Sequence, residues 1–128
     1  MAGAYTSDEN FKNGFNAAVD MSAAQYSLIR INSGKNGEVS ICSVVAEDCD
    51  GVLLNKPNSG EEATIAFGGL TPFRAGAAIN AGDQVITSAT GWGTSSVISG
   101  STGKCLLTVT SGAVSTMIKY LGHHPQQA

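Results

Sequence analysis

The chain has 128 residues, the size of a single domain, and 42% of them are hydrophobic, which is enough for a modest core. Only 13% are charged, about half the usual share of a soluble domain, which suits a surface largely covered by neighbouring proteins. The formal net charge is −3 without any cluster of Lys or Arg, and no apolar run approaches a bilayer's thickness, so composition argues against nucleic-acid and membrane partners.

Residues 1–19 are predicted to form an extended N-terminal arm, because neither a helical nor a strand period persists there. The arm carries three separated aromatic residues, Tyr5, Phe11 and Phe15, which we take as candidate protein-interface anchors. The alternative is that these aromatics fold back onto their own domain. The first residues show neither a basic nor an apolar leader segment, so we expect synthesis in a cytosol without a signal peptide.

The clearest local prediction is a β-hairpin formed by residues 26–31 and 38–45, both rich in β-branched side chains. Between them, Asn36-Gly37 is typical of a type I′ turn, which needs positive φ angles.

Two further predicted strands follow. Residues 51–55 form a short apolar strand, and 62–67 alternate so that Ala63, Ile65 and Phe67 share one face. Extended structure resumes over 70–74. Pro72 has no N–H to donate to a neighbouring strand, and it therefore indicates an edge strand or a bulge.

The last predicted strands are 84–88, 104–110 and 113–121. The second of them should place Cys105, Leu107 and Val109 on one face. A loop is expected around Trp92, because Gly91 and Gly93 flank it.

Many short strands with glycine-rich turns predict an all-β fold: a small single-domain β-barrel or sandwich with an extended N-terminal arm. We divide the chain into the arm 1–19, a β module 20–121 and a flexible C-terminal tail 122–128.

The titratable residues do not converge on a catalytic or metal-binding pattern. His123 and His124 are adjacent in the tail and would point in opposite directions in an extended chain. The acidic run 47–50 lacks the ordered ligand spacing of a calcium loop and is expected to be a solvated turn. We therefore predict no catalytic residues, no metal and no cofactor, and a protein that is not an enzyme.

Cys42, Cys49 and Cys105 show no paired short spacing of the zinc-binding type. We expect reduced, partly buried thiols, with a Cys42–Cys49 disulfide as the alternative.

Trp92 between two glycines has three interpretations. It is a protein-interface anchor, a platform on which a sugar stacks, or a cap on its own core. We carry it forward with Tyr5, Phe11 and Phe15 as an interface candidate.

Three stretches in a fixed order resemble a family of small tailed-phage proteins, the capsid decoration or cement proteins, once grouped as a domain of unknown function. The resemblance covers about half of the chain. The stretches are Asp20-Met-Ser-Ala-Ala-Gln-Tyr26 before a strand, Asp50-Gly-Val-Leu-Leu-Asn-Lys-Pro57 with Gly60-Glu-Glu-Ala-Thr-Ile65, and Ala75-Gly-Ala-Ala-Ile-Asn-Ala-Gly-Asp-Gln-Val85.

The resemblance implies a small β module that binds the major capsid protein on the outer surface of the virion and stabilises the head against internal DNA pressure. It also implies a homo-oligomer, a trimer in preference to a dimer, synthesised in the host cytoplasm. The alternatives are another virion component, such as a head-completion or tail-tube protein, and a carbohydrate-binding module that uses Trp92.

Overall fold

The computed structural model describes residues 11–95 and 102–119. Within these ranges the chain forms ten strands and no helix, which confirms the all-β prediction. The strands are β1 Phe11–Ala17, β2 Leu28–Ile31, β3 Glu38–Ile41, β4 Gly51–Leu53, β5 Glu62–Ala66, β6 Gly69–Arg74, β7 Gln84–Thr87, β8 Gly93–Ser95, β9 Gly103–Cys105 and β10 Val114–Lys119.

The first five strands close into a barrel in the order β1-β3-β2-β4-β5. Strand β1 completes the barrel, because it pairs in parallel with β3 and antiparallel with β5. Closure leaves no free edge in this part of the molecule, and a barrel therefore offers little opportunity for further strand pairing.

The predicted arm is wrong over residues 11–17, which form a barrel strand rather than irregular chain. The register shifts between Lys12 and Phe15, and Gly14 lies within this bulge at φ 95°. A bulge inserts an extra residue and breaks the two-residue alternation on which strand prediction depends. The first ten positions of the predicted arm lie outside the described residues.

The second sheet has the order β6-β10-β9-β7-β8, with β6 at one edge. This confirms the edge position predicted for Pro72. The N–H of Arg74 donates to the carbonyl of Tyr26, outside the sheet, at 3.0 Å. Since backbone groups alternate in direction along a strand, the missing N–H of Pro72 also faces away from β10, and no ladder hydrogen bond is lost.

A shared core joins the barrel to the second sheet. One buried cluster combines Leu28 and Val52 of the barrel with Phe73, Val85 and Met117 of the sheet. Each such side chain contributes about 1.5–3 kcal/mol when fully buried. The two sheets therefore form one small domain.

A second cluster fills the barrel interior. It includes Ile29, Val39, Leu53 and Ile65, all without exposed surface, and Phe67 packs against it. The predicted inward face of residues 62–67 is confirmed by this packing.

The predicted hairpin exists, but its turn is not type I′. Residues 32–37 connect β2 to β3, and the positive φ angles belong to Gly34 at 76° and Gly37 at 73°, not to Asn36. A type I′ turn needs positive φ at both central residues. The longer loop reverses the chain at two separate glycines instead.

Two other predictions need correction near the second sheet. Strand β9 ends at Cys105, so the predicted common face of residues 104–110 does not form: Cys105 and Val109 are buried, but Leu107 is exposed. Gly93 belongs to β8 rather than to a loop. The tail 122–128 and the last two residues of the predicted strand 113–121 lie outside the described residues.

Candidate protein-binding site

The structure ties part of the predicted aromatic arm to its own domain. The ring centroids of Phe15 and Phe67 lie 5.5 Å apart, and both rings pack against the barrel core. This is the fold-back alternative left open by the sequence. Tyr5 and the side chain of Phe11 lie outside the described part of the chain, and their role as interface anchors stays a prediction.

Trp92 is half-buried and held in place, rather than displayed on an open loop. The guanidinium carbon of Arg74 lies 5.3 Å from the centroid of the indole ring. A Cβ on Gly91 would collide with Ile41, and a Cβ on Gly93 would lie 2.7 Å from the ring of Phe73. Both glycines are therefore required by close packing against Ile41 and Phe73, and Gly91 also has a positive φ of 86°.

Several exposed apolar side chains lie on the side of the second sheet that faces away from the core. Leu70 on β6 pairs directly with Ile118 on β10, and they are 66% and 43% exposed. Alternate positions on β10, such as Met117, are buried. We call this surface the apolar outer face; its members are Leu70, Pro72, Leu106, Val114 and Ile118.

The charges around the apolar outer face are few. Lys104 pairs with Ile118 at its border. Arg74 pairs with Val114, but its guanidinium donates to the carbonyl of Gly112 at 3.1 Å and covers Trp92. Thr116 lies between Val114 and Ile118 on the same side of β10 and pairs with Pro72, so the face is mainly apolar with one central hydroxyl. Exposed apolar residues grouped on a sheet are typical of a protein-binding surface.

Sequence reasoning missed this face, although a signal was present. A strand with one solvated side carries apolar residues in only one alternating set. In β10, Val114 and Ile118 belong to one set and Met117 to the other. Because apolar residues occur in both sets of β10, the sequence could have predicted that the outer face of this sheet is apolar too and suited to contact with another protein.

A second exposed apolar feature lies between β3 and β4. Val44 and Val45 are 61% and 59% exposed. Glu47 Oε1 accepts the N–H of Val44 at 2.9 Å, and the N–H of Ala46 donates to the carbonyl of Thr87 at 3.0 Å. Ala46 has a φ of 62°, which is unfavourable for a residue with a Cβ. The turn therefore presents two valines in a fixed conformation.

The acidic run 47–50 supports local structure. Glu47 also pairs with Arg30 at 3.3 Å, and Asp50 accepts the N–H of Ile31 at 2.8 Å. Lys119 of β10 is buried, and burial lowers its pKa, while the charge of Asp50 acts in the opposite direction. Within the described residues, no group of three His, Cys, Asp or Glu side chains could hold a metal ion.

All three cysteines are buried and free, in agreement with the expected reduced thiols. The pKa of the Cys42 thiol is raised, first by its hydrogen bond with Cys49 and then by burial. A buried thiol with a raised pKa is a poor nucleophile, because only the thiolate reacts.

Among residues 11–95 and 102–119 we find no helix with the length and hydrophobicity needed to cross a membrane.

Comparison with known proteins supports the fold. No protein-family model matches the chain, and no curated protein matches it in sequence. Its structure is similar to the crystal structure of the head fiber gp8.5 N base of bacteriophage phi29, with a TM-score of 0.72 and 16% sequence identity. The match covers 91% of this chain and 99% of that chain. At this identity, the likeness shows that the two chains share a fold.

Proposed function

We propose that this chain is a structural component of a tailed-phage head, a decoration protein that binds the outer surface of the major capsid protein shell. Two independent indications support the proposal. The order of sequence motifs resembles capsid decoration proteins, and the fold is shared with the head fiber base of phi29.

The apolar outer face carries the proposal. Leu70 and Ile118 lie side by side on a rigid antiparallel pair, so little conformational entropy is lost when a partner covers them. Pro72 removes a donor from the free edge of β6, which disfavours extension of the sheet by another strand. These features favour a partner that packs onto the face rather than one that pairs with the edge.

Stabilisation of the shell follows from linked contacts. A homo-oligomer, a trimer in preference to a dimer, would place several apolar outer faces against neighbouring coat subunits. Subunits pushed apart by internal DNA pressure would then have to break these contacts together. Linked binding sites raise the overall affinity by about 10²–10⁴-fold without any additional contact.

The test is retention of the protein on heads purified without it. The double variant Leu70→Lys/Ile118→Lys should keep the wild-type melting temperature, because both side chains already contact solvent. It should need at least about tenfold more protein for half occupancy, since burying even part of two large aliphatic side chains is worth more than about 1.4 kcal/mol.

The matched control is Ser33→Lys/Ser59→Lys, which adds the same two charges at exposed positions in loops of the barrel. It should bind heads like the wild type. Unchanged occupancy of the double variant would remove the apolar outer face from the docking surface. Light scattering on the free protein tests the oligomer separately, and a monomer at all concentrations would contradict the trimer.

A further inference from the structure

Two shallow depressions flank Trp92 and share it with Thr90. One has a volume of about 340 Å³ and is lined by Asp20, Met21, Ser27 and Ile41 in addition to the shared pair. The other, of about 530 Å³, lies over Gly76 and Ser88. Thr90 and Trp92 therefore form the ridge between them, and the first depression combines an apolar floor with polar groups.

The hydroxyl of Thr90 can accept a hydrogen bond from a ligand, because its own proton is donated to Ser88. Ser88 Oγ lies 2.8 Å from the carbonyl of Trp92 and 2.9 Å from Thr90 Oγ1. A hydroxyl carries a single proton, and a carbonyl can only accept, so Ser88 donates to Trp92 and Thr90 donates to Ser88. Both lone pairs of Thr90 Oγ1 are then available to a ligand that donates.

Asp20 supplies a second acceptor. Its Oδ1 accepts the N–H of Ser22 at 3.0 Å, and this hydrogen bond lowers the pKa of the carboxyl group. The side chain is exposed and ionised near neutral pH, and a carboxylate has two oxygens with about four lone-pair sites. The rim of the depression is therefore rich in acceptors.

Ser27 adds an unusual feature to the wall. The residue is 1% exposed, and its Oγ has no hydrogen-bond partner. Buried hydroxyls almost always have a partner, so an unpaired one beside a depression calls for an explanation. A small outward adjustment of the wall would allow this hydroxyl to contact a bound molecule.

The indole of Trp92 provides an apolar platform. Arg74 covers part of it and is itself tied to the carbonyl of Gly112 at 3.1 Å, which fixes the orientation of the ring. The positive charge of Arg74 next to the indole offsets the attraction of the Asp20 carboxylate for a cation. The ligand expected here is uncharged, has one apolar face and carries several donors.

We propose that the depression between Asp20, Thr90 and Trp92 binds a pyranose sugar. The C–H face of the ring packs on the indole, and sugar hydroxyls donate to Asp20 and Thr90. The sugar is either free or part of a surface polysaccharide, and both present the same ring. This inference does not depend on the proposed role on heads.

Trp92 is the single tryptophan of the chain, so its fluorescence reports on this site alone. Methyl α-D-glucopyranoside, N-acetylglucosamine and soluble dextran are the probes, titrated through the millimolar range. Sorbitol, an open-chain polyol, is the control for ring recognition. We expect a saturable fluorescence change with at least one pyranoside or with dextran, and none with sorbitol. A response to dextran alone assigns the site to a polysaccharide.

The variant Asp20→Asn should weaken binding by about tenfold or more, the usual loss for one hydrogen bond to a charged group, and Thr90→Val should weaken it by about two- to tenfold, the usual loss for a neutral one. Asp83→Asn is the matched control, because Asp83 also accepts a backbone N–H in a turn, from Asn80 at 3.2 Å, away from the depression. It should bind like the wild type.

Three outcomes overturn the proposal: no saturable change with any probe, an equal response to sorbitol, or binding that both site variants leave unchanged. Head retention of Asp20→Asn is measured in parallel. If that variant loses retention while no sugar binds, Trp92 belongs to a protein interface instead.

Discussion

The ring of Phe15 on β1 lies 5.5 Å from the ring of Phe67, just after β5, with the two planes tilted by 55°. This tilted contact fastens β1 to the strand that it pairs with in the barrel. A segment with the composition of a free arm is therefore part of the core structure from Phe11 onward.

Phe15→Ala should lower the free energy of unfolding by about 2–3 kcal/mol, less than the 3–5 kcal/mol of a fully buried phenylalanine because the ring is only half-buried. Val19→Ala, at a side chain 55% exposed, is the control and should change stability by less than about 0.5 kcal/mol. Chemical denaturation measures both. Equal effects would show that the Phe15–Phe67 contact is not formed.

Truncation locates the boundary between arm and barrel. Deletion of residues 2–10 should leave the cooperative unfolding transition intact, because β1 is retained. Deletion of residues 2–17 removes the strand that closes the barrel and exposes the edges of β3 and β5. We therefore expect that this protein no longer unfolds cooperatively and that it aggregates. Circular dichroism and light scattering of the two proteins distinguish these results. An 18–128 chain that unfolds cooperatively and does not aggregate would contradict the barrel assignment.

The β2–β3 loop allows a comparison of neighbouring positions. Gly37→Val places a β-branched residue at φ 73° and should cost about 1–2 kcal/mol. Asn36→Val, at an exposed position without a positive φ, should cost less than about 0.5 kcal/mol. Thermal melts of both variants test this. Comparable losses at the two positions would favour the type I′ turn predicted from the sequence.

Ser27→Ala should stabilise the protein by about 1 kcal/mol, since it removes a buried hydroxyl that has no partner. Ser40→Ala is the contrasting variant: Ser40 Oγ accepts a hydrogen bond from Asn32 at 2.8 Å, so its loss should destabilise. Differential scanning calorimetry shows whether each variant melts above or below the wild type. A destabilised Ser27→Ala protein would mean that the hydroxyl has a partner in solution.

The thiols should resist alkylation in the folded state. Because the pKa of Cys42 is raised, its labelling by iodoacetamide should not increase through pH 9, where an ordinary thiol becomes thiolate. Labelling in denaturant is the control and should be complete for Cys42, Cys49 and Cys105. Peptide mass spectrometry assigns each site, and rapid native labelling of Cys42 would contradict its burial.

The predictions that succeeded from sequence depend on local chemistry. Alternation over 62–67 identified Ala63 and Ile65 as inward, because a strand that buries one face must be apolar at every second residue. Pro72 indicated an edge, since proline has no N–H to donate. Trp92 was also singled out by its glycine neighbours, although its binding role stays a prediction.

The sequence by itself determined the fold class, most strand positions and the edge marked by Pro72, because each depends on the preferences of neighbouring residues. Only the tertiary structure decided that β1 closes the barrel, since its partners β3 and β5 lie far along the chain and a bulge at Gly14 obscures its period. It also decided that Leu70 and Ile118 meet on the outer face, because a side chain's exposure depends on which side of the assembled sheet faces the core.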